Sequence, residues 1–568
     1  MPATLRAGEH VDLDFGREVS GSLTLTFGAA DDALVAVSFS ETRGYLGAES
    51  DHWRGLPADL HLPSRGETWV DAPGCQVSGV CAEGQRAFRF ARVTMLRGTA
   101  EVRAATVVLP ASVRDAGAYD GWFLSSDELL NRIWYASVYT TELVTDTYDA
   151  NATALGGCAD AATGGVVVFD GAKRDRCPAV GDLAVSGPAL LASRADARPL
   201  LDTLELFARS QRPDGAIPSG AGAVYGGSTP LFDYSAWWVV AVWATVLATG
   251  DRAFAERMLP HVARVLDEWY PRFVDSDGLL ANPFGAVDYA YIRRGDERVA
   301  YYNALYVLAL RDGARLAEWL ARPASWGTTA DALARRVDAA FWDGVAYRDA
   351  LGGGVVHPQD GNALAVLAGV AARDRARTAL AYLSRTNARA WGNTIADTGA
   401  WDRPDASWGD QAQERVYPFV SYFEVLARFA AGDDGGAFDL LRREWGWMVD
   451  PARGGPGTTW EALGAYGSID GYQKRFTSMA HGWSAGAAPA LTAYALGIRP
   501  TSPGYATFDA APRVCDLTWA QGVVPTPHGP IRFAWSRPGA RLVVPPGTTA
   551  RLVLGKINRT LGPGEWRF

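Results

Sequence analysis

Residues 125–143 read SSDELLNRIWYASVYTTEL, and in this stretch the chain changes from a β-strand pattern to a helical one. Its apolar side chains recur at 3.6-residue spacing, which predicts one buried helix face. The residues on that face are Leu130, Ile133, Trp134, Ser137 and Val138. Ser125 followed by Glu128 fits a capping box, in which both side chains satisfy early backbone N–H groups. From here to about residue 498, nearly every apolar segment has a helical period.

The residues before this stretch alternate between apolar and polar side chains. Leu23, Leu25 and Phe27, for example, alternate with serine and threonine. Period-two alternation gives a strand one buried and one solvated face, so an antiparallel β-sandwich is predicted. Alternation returns after residue 500, among Pro-Gly turns, and predicts a second, smaller β-sandwich.

The helical region contains about eleven or twelve segments joined by loops that carry glycine and proline. Strands do not alternate with these helices, which argues against a Rossmann or TIM fold. Paired helices in this number indicate a double ring of six hairpins, an (α/α)6 barrel. We therefore predict three domains: an N-terminal β-sandwich at 1–117, the barrel at 118–500 and a C-terminal β-sandwich at 501–568.

Composition excludes several functional classes. The formal net charge of −9 disfavours a general nucleic-acid binder, which needs a basic face for phosphates. No apolar run is long enough to span a membrane, and the N-terminus has no apolar core of a signal peptide. The histidines have no zinc-type spacing, and no nucleotide-binding motif is present, so neither metal nor cofactor is predicted. The cysteines are few and odd in number, which favours reduced thiols and a cytoplasmic location: Cys75, Cys81, Cys158, Cys177 and Cys515.

A first candidate site is residues 170–182, DGAKRDRCPAVGD, directly before a predicted helix. Three carboxylates, Asp170, Asp175 and Asp182, lie among three cations that include Arg174. Clustered carboxylates raise one another's pKa and nearby arginine lowers it, which is how acid and base roles separate. The alternative interpretation is a solvated loop held by salt bridges.

A second candidate site is residues 454–461, GGPGTTWE, where Glu461 follows Trp460 on a glycine-rich turn. Glycine permits close approach to a ligand, and an apolar setting beside an indole favours a raised carboxyl pKa. The alternative is a glutamate that interacts with a helix dipole. His481, twenty residues later, fits either a hydrogen-bonded core position or a group that orients a sugar hydroxyl.

Residues 482–486, GWSAG, match the G-x-S-x-G pattern of a serine-hydrolase nucleophile elbow. That device requires a strand that turns sharply into a helix and exposes the serine. The preceding residues, RFTSMAH, do not form a convincing strand pattern. We therefore interpret the motif as small residues at a helix start, and an esterase that uses Ser484 is the minor alternative.

Taken together, these segments resemble glycoside hydrolase family 78, the α-L-rhamnosidases. The loop at 170–182 is similar to that family's acid-bearing loop, which ends in Gly-Asp before a helix. Other matching segments follow in the same order: 232–235, 249–251, 444–448, 458–461, 481–486, 496–500 and 524–530. The start of the chain, residues 14–21, resembles the family's accessory sandwich. The resemblance covers nearly the whole chain.

The resemblance implies a role for each matching residue. Asp175 corresponds to the general acid and Glu461 to the general base of an inverting hydrolase, which acts through a water molecule. Asp170 and Asp182 correspond to carboxylates that hold the sugar hydroxyls, and His481 to a histidine that binds substrate. Two further expected contacts with the substrate are Arg174 and Trp460, the latter as a wall of the site.

The sequence departs from the family pattern at two positions. The best-known bacterial enzymes carry glutamate at the acid position, where this chain has Asp175. A family tryptophan shortly before the Gly-Asp pair is absent, and residues 178–180 here read PAV. Loss of that ring predicts an altered sugar pocket, so a sugar closely related to rhamnose is an alternative to rhamnose as the expected substrate.

The predicted function is hydrolysis of terminal α-L-rhamnosyl or closely related residues from oligosaccharides or glycosides, by a monomer or homodimer. One alternative is a polysaccharide lyase that acts on rhamnose–glucuronate linkages. β-Elimination needs a tyrosine or histidine base and cations for the uronate, and Tyr472, Arg475 and His481 lie close together in sequence. Another alternative is a carbohydrate-binding protein without turnover.

Overall fold

The computed structural model describes most of the chain, and side chains are discussed only for these parts of it. The described residues are 2–47, 58–62, 68–70, 86–110, 112–147, 165–173, 176–220, 231–285, 288–290, 292, 294, 296–397, 414–472, 474–537 and 539–568.

The N-terminal part is built from two very long strands and three short ones. Their bounds are β1 Ala3–Arg6, β2 His10–Ser40, β3 Ala58–Leu62, β4 Thr68–Val70 and β5 Arg86–Val108. They form one five-stranded hydrogen-bonded sheet. The sheet bends back on itself, because Val93 of β5 pairs with Val11 on one side and Val37 on the other. Irregularities of register along β2 allow this bend. The alternating residues Leu23, Leu25 and Phe27 are buried in its core, as their pattern predicts.

The middle of the chain is helical, and the structure describes twelve α-helices there. Their bounds are α1 Glu128–Leu143, α2 Leu183–Ser193, α3 Arg198–Arg209, α4 Tyr234–Thr249, α5 Arg252–Ala263, α6 Ala300–Trp319, α7 Trp326–Phe341, α8 Gln359–Leu367, α9 Arg373–Thr386, α10 Pro418–Ala431, α11 Asp434–Met448 and α12 Ala487–Ala490. Helix α5 continues as a π-helical turn, Arg264–Trp269, and α12 continues likewise as Leu491–Leu496.

The even-numbered helices form a closed ring. Each of α2, α4, α6, α8, α10 and α12 contacts the next, and α12 contacts α2 again. Each odd-numbered helix packs outside, against one or both of the neighbouring members of the ring. Burial follows this arrangement, since residues 234–242 of α4 are all buried, whereas α9 buries one stripe. A helix apolar on all sides belongs inside, and an amphipathic one belongs outside.

Helix α1 shows both a correct and a wrong prediction. Leu130, Ile133, Trp134 and Val138 are buried, as their spacing predicts. The capping box of Ser125 and Glu128 is wrong, because the helix starts two residues later than that motif requires. Asp127 is the N-cap, and its carboxylate accepts hydrogen bonds from the N–H groups of Leu129 and Leu130.

The C-terminal part consists of two sheets. One contains β11 Ile498–Pro500, β12 Thr507–Ala510, β16 Thr549–Leu554 and β17 Ile557–Leu561. The other contains β18 Gly564–Arg567, β15 Gly539–Val544, β14 Ile531–Ser536, β13 Trp519–Val524 and β6 Trp122–Ser125. Strand β6 precedes the helices, so the second sheet joins both ends of the helical region. The remaining short strands are β7 Thr145–Thr147, β8 Val166–Val168, β9 Ala388–Arg389 and β10 Gly392–Asn393.

The oxidation state of one cysteine differs from the predicted reduced thiols. Cys177 is buried and disulfide-bonded, so the prediction of reduced thiols is wrong for it. Spacing along the sequence does not report which cysteines meet in space. Cys515 is an exposed free thiol, and Cys75, Cys81 and Cys158 lie outside the described residues. The cytoplasmic location stays a prediction. Among the described residues, no helix has both the length and the apolar character that crossing a membrane requires.

A histidine clamp, formed by His357, Asp343 and Asp397, joins two of the connections between helices, 342–358 and 387–417. The two ring nitrogens of His357 lie 2.8 Å from Asp397 Oδ2 and 2.7 Å from Asp343 Oδ2. Burial disfavours the charged ring, but hydrogen bonds to Asp397 and Asp343 outweigh it and raise the His357 pKa above its ordinary 6.5. Both nitrogens can donate only when the imidazole is protonated.

The clamp therefore makes stability depend on pH. A raised folded-state pKa gives stability that is complete below pH 6.5 and is lost as pH rises through the folded value. We expect His357→Gln to lower the free energy of unfolding by about 2 kcal/mol at pH 6, since each hydrogen bond to a charged group contributes about 1.5–3 kcal/mol. The loss at pH 9 should be clearly smaller. Urea unfolding at both pH values measures this, and equal losses would contradict it.

Candidate active site

The two ends of the helix ring differ in the length of their connections, and we call the end with the long connections the elaborate end. The connections that lead into its even-numbered helices are long, spanning 144–182, 210–233, 274–299, 342–358, 387–417 and 449–486. The connections at the opposite end are short, spanning 194–197, 250–251, 320–325, 368–372 and 432–433. Six helix N-termini therefore point toward the elaborate end, and their positive dipole ends favour carboxylates there. Asp182 and Asp233 lie directly before α2 and α4, and Asp360 lies in the first turn of α8.

Backbone hydrogen bonds join the two loops that sequence analysis singled out. Gly171 forms an antiparallel bridge with His481. Ala172 N donates to Ala480 O at 2.9 Å, and Gly482 N donates to Asp170 O at 2.6 Å. The acid-rich loop and the loop after Glu461 are thus adjacent, although about 300 residues separate them along the chain.

Asp170 is a buried residue that shapes its own loop. Its Oδ1 accepts hydrogen bonds from Gly171 N at 2.6 Å and Cys177 N at 3.2 Å. Its backbone N–H donates to the carbonyl oxygen of Cys177 at 3.1 Å. These bonds fix the described residues on either side of 174–175. Arg174 and Asp175 themselves lie outside the described residues.

Glu461 is also buried, and both its backbone and its carboxylate form hydrogen bonds with neighbouring residues. Its Oε2 accepts a hydrogen bond from Ser478 N at 2.8 Å, and its N–H donates to Ser478 O at 2.9 Å. The indole N–H of Trp483 donates to the Glu461 carbonyl at 2.7 Å. The carboxylate therefore has a defined orientation at this end of the ring.

His481 lies between two carboxylates. Its Nε2 is 3.8 Å from Glu461 Oε1, and its Nδ1 is 3.6 Å from Asp182 Oδ2. All three side chains are at most 4% exposed. The structure therefore brings Asp170, Asp182, Glu461 and His481 together, and they form what we call the acidic pocket. Such a group can bind hydroxyls and transfer protons.

Local packing explains the Gly-Asp pair before α2. A Cβ on Gly181 would lie 2.7 Å from the ring of Tyr234, so only glycine lets this ring pack there. The Tyr234 hydroxyl donates to Asp182 Oδ1 at 3.5 Å. Tyr234 thus supports the carboxylate that faces His481.

Trp460 lies in the protein core next to Glu461. Its side chain is fully buried, and its backbone N–H donates to the sulfur of Met448 at 3.1 Å. The predicted role of Trp460 as a wall of the site stays a prediction, as does that of Arg174.

The N-terminal sheet contributes directly to this end of the ring. Lys173 Nζ lies 2.8 Å from Glu41 Oε2, and both side chains are fully buried. The Glu41 carboxylate also accepts hydrogen bonds from Met479 N, and Lys173 donates to Thr477 O at 2.9 Å. One buried ion pair therefore links the N-terminal sheet to both loops of the acidic pocket.

Aromatic rings surround Trp483. The sequence named Tyr472 only as a candidate base for the lyase alternative, and it did not indicate Trp483 or Phe419 as site residues. The ring centroid of Trp483 lies 4.7 Å from His481, 5.5 Å from Phe419 and 5.8 Å from Tyr472. Tyr472 also donates to the backbone carbonyl of Tyr289 at 3.2 Å. Phe419 and Trp483 occupy sequence positions that are also typical of buried core residues. The sequence alone therefore does not distinguish a site residue from a core residue here.

A buried ionic network lies beside these rings and was also missed. The Arg294 guanidinium is 3.1 Å from Asp288, 2.7 Å from Asp349 and 2.8 Å from Asp360. The hydroxyl of Tyr289 donates to Asp360 Oδ2 at 3.0 Å. The network thus connects the aromatic rings to the first turn of α8. These three aspartates lie apart along the chain and give no local motif.

Asp233 lies in the same region, and its carboxyl group has a raised pKa. Its Oδ2 accepts a hydrogen bond from Tyr301 at 2.7 Å. Burial, and after it the neighbouring Asp288 carboxylate, raises the pKa of Asp233 to about 8. A proton on Asp233 near neutral pH relieves repulsion between two buried acids.

The G-x-S-x-G motif does not form a nucleophile elbow. Residues 482–484 form a 3-10 turn before α12, and no strand leads into this turn within the described part of the chain. The Ser484 hydroxyl is buried and donates to the carbonyl oxygen of His481 at 2.6 Å. The interpretation as a helix start agrees with this geometry.

Two family models match the sequence. Residues 162–400 match the bacterial alpha-L-rhamnosidase 6 hairpin glycosidase domain, and residues 497–566 match the bacterial alpha-L-rhamnosidase C-terminal domain. The first match covers the acid-rich loop and much of the helix ring, and the second covers the C-terminal sheets. A comparison with curated proteins gives no match.

Several solved structures have a similar fold. A family 78 rhamnosidase of Bacillus sp. GL1 has 22% identity and a TM-score of 0.72, over 98% of this chain and 54% of its own. The α-L-rhamnosidase of Dictyoglumus thermophilum has 13% identity and a TM-score of 0.71, over 100% and 63%. The Streptomyces avermitilis enzyme, complexed with L-rhamnose, has 18% identity and a TM-score of 0.67, over 100% and 53%.

These likenesses concern the fold. The chain spans between 53% and 63% of the length of the three structures. A multidomain fold of the six-hairpin glycosidase type, with helices and β-sheets, is thereby confirmed.

Proposed function

The chain belongs to the bacterial α-L-rhamnosidase family, and we propose that it is an inverting glycoside hydrolase. Its substrates are oligosaccharides or glycosides with a terminal α-L-rhamnosyl residue or a closely related sugar. The observation that carries this proposal is the acidic pocket, where Glu461, His481 and Asp182 lie side by side. The architecture we propose around it is an (α/α)6 barrel with flanking β-sandwiches, supported by the ring of even-numbered helices.

Glu461 serves as the general base. Inversion requires a carboxylate that takes a proton from water as the water attacks the anomeric carbon. The Ser478 N–H bonds to one carboxylate oxygen, Oε2, and orients the other, Oε1, toward His481. An ionised carboxylate in this position accepts the proton without a metal or cofactor.

Asp175 serves as the general acid and protonates the departing glycosidic oxygen. Its assignment rests on the family resemblance of the loop at 170–182. The loop is anchored on one side by Lys173 and on the other by the pairing of Cys177 with Asp170. Because aspartate is shorter than glutamate, proton transfer from Asp175 is expected to depend on these anchors on either side of it.

Asp170, Asp182 and His481 bind the hydroxyls of the sugar to be released, with Arg174 and Trp460 as further contacts. Carboxylates accept hydrogen bonds from hydroxyls, and an imidazole can donate or accept. Polar groups that converge in one pocket discriminate strongly for a ligand with matching hydroxyls. We propose that the protein acts as a monomer or homodimer and needs carbohydrate as its only partner.

Hydrolysis of aryl glycosides tests this proposal. The wild type should release phenol from an aryl α-L-rhamnoside, and a chelator should not change the rate. Asp175→Asn should lose about 10²- to 10⁴-fold in kcat on a poor leaving group, because such a group depends on protonation. The loss should be smaller for a nitrophenol, which departs as an anion.

Two results would sink the proposal. One is that the wild type hydrolyses neither α-L-rhamnosides nor α-glycosides of related 6-deoxy sugars. The other is full activity of Asp175→Asn on the poor leaving group. A lyase would instead generate a double bond, so ultraviolet absorbance from a rhamnosyl-glucuronate substrate would favour the elimination alternative.

A further inference from the structure

Tyr466 is a large aromatic side chain held in solvent. It is 78% exposed, the highest value among large apolar side chains in the part of the chain that the structure describes. Its φ of 61° and ψ of 22° lie in the left-handed region, which is unfavourable for a side chain with a Cβ. Strain of this kind persists where the surrounding structure imposes it, commonly at ligand sites.

The turn that carries Tyr466 is firmly held. Gly464 N donates to Ser468 O at 2.9 Å, and Gly467 N donates to Gly464 O at 3.0 Å. The indole N–H of Trp447 donates to Gly467 O at 2.9 Å. A Cβ on Gly467 would lie 2.4 Å from the Trp447 ring, so the turn packs closely against that indole. Tyr466 therefore projects from a fixed base.

Other aromatic groups and one cation adjoin Tyr466, and we call the set of Tyr466, Trp391, Trp447 and Arg453 the aromatic platform. The Trp391 ring lies 6.0 Å from Tyr466 and 5.9 Å from Trp447. The Arg453 guanidinium lies 3.4 Å from the centroid of Trp447, and its side chain is 43% exposed. Arg453 also pairs with the partly exposed Asp450 at 3.3 Å, so the platform combines aromatic rings with one partly exposed guanidinium.

The platform lies at the same end of the helix ring as the acidic pocket. Its four residues belong to the long connections 387–417 and 449–486 or to the adjoining end of α11. Tyr466 follows Glu461 by five residues, so an extended chain would separate their Cα atoms by at most about 18 Å. The intervening Leu463 pairs with Val416, which fixes this segment to the other connection.

We propose that the aromatic platform is a second carbohydrate subsite, which binds a pyranose of the glycan that carries the terminal sugar. A pyranose has an apolar C–H face that packs on an aromatic ring, and a rim of hydroxyls that a guanidinium can bind. A core role does not account for a tyrosine that is mostly in solvent and in an unfavourable backbone conformation. This inference rests on the proposed glycosidase function and adds the substrate class: glycans longer than a monoglycoside.

Comparison of a short and a long substrate tests the subsite. For an α-L-rhamnosyl-terminated tetrasaccharide, Tyr466→Ala should raise KM about 3- to 10-fold and leave kcat within twofold, as expected for loss of one aromatic contact. For an aryl α-L-rhamnoside, which lacks the further sugars that the platform is proposed to bind, both constants should stay unchanged. Trp566→Ala is the matched control, since Trp566 is an exposed aromatic on the C-terminal sheet.

A second variant separates binding from folding. Tyr466→Gly removes the ring and suits the left-handed backbone, so it should melt no lower than the wild type while raising the tetrasaccharide KM equally. Equal losses on both substrates would mean that Tyr466 only supports the Glu461 loop, and would overturn the subsite. An unchanged tetrasaccharide KM would also overturn it.

The two proposals can fail separately. If the wild type hydrolyses neither substrate, the proposed function fails, and calorimetric titration of the tetrasaccharide then tests the platform alone. Binding that Tyr466→Ala weakens would support the platform, and binding that it leaves unchanged would exclude it.

Discussion

Glu461→Gln should lower kcat for an aryl α-L-rhamnoside by about 10²- to 10⁴-fold, the range for loss of a general base. The amide cannot take a proton from the attacking water. Its oxygen can still accept the Ser478 N–H, so the local structure should persist. KM should change little, because the lost interaction forms mainly in the transition state. Steady-state kinetics with matched circular dichroism spectra measure this effect.

A nearby glutamate provides the control. Glu414 lies in the connection before α10 and pairs with Arg389 at 3.1 Å. It has no part in the acidic pocket, so Glu414→Gln should keep activity within twofold. Activity of Glu461→Gln within tenfold of the wild type would exclude Glu461 as the base.

Lys173→Met should lower the free energy of unfolding by about 3–5 kcal/mol, the range for breaking a fully buried ion pair by removing one partner. The change leaves the buried Glu41 carboxylate without its ammonium partner. It also removes a hydrogen bond to the loop that follows Glu461. Activity should fall with stability, since Lys173 lies two residues before Asp175. Chemical denaturation and kinetics together measure both effects.

The double variant Lys173→Met with Glu41→Leu is the informative comparison. Replacing a buried pair by apolar residues is often neutral or stabilising, so this variant should regain most of the lost stability. It should not regain full activity, because the polar link between the N-terminal sheet and both loops is gone. A single variant as stable as the wild type would contradict the assignment of this pair as a structural link.

Local patterns predicted much of the fold. The buried face of α1 follows from the spacing of Leu130, Ile133 and Trp134, and the buried side of β2 follows from alternation at Leu23 and Leu25. These signals suffice because burial on one face sets the period of apolar residues. Helix ends are weaker signals, which is why Asp127 and not Ser125 caps α1.

Contacts between distant segments could not be predicted in this way. Strand β6 pairs with β13 almost 400 residues later, and Cys177 forms a disulfide although no cysteine spacing indicates one. The ion pair of Lys173 with Glu41 likewise joins residues that share no motif. Such pairings are set by how whole elements pack, and a single sequence holds no direct record of them.

For the candidate site, the sequence indicated residues that lie together in the structure, and their roles stay predictions. Asp170, Asp182, Glu461 and His481 were identified from their loops and from the family resemblance, and the structure places them together. Trp483, Tyr289 and the Arg294 network were missed, because buried aromatic and charged residues in helical connections are also typical of an ordinary core.

The stereochemistry of hydrolysis distinguishes the proposed inverting mechanism from a retaining one. Proton NMR of a reaction started with an aryl α-L-rhamnoside shows which anomer appears before mutarotation. An inverting pair of carboxyl groups, about 6.5–9.5 Å apart with water between them, yields the β-anomer first. Initial accumulation of the α-anomer would exclude inversion, because retention requires a carboxylate that attacks the sugar and not one that activates water.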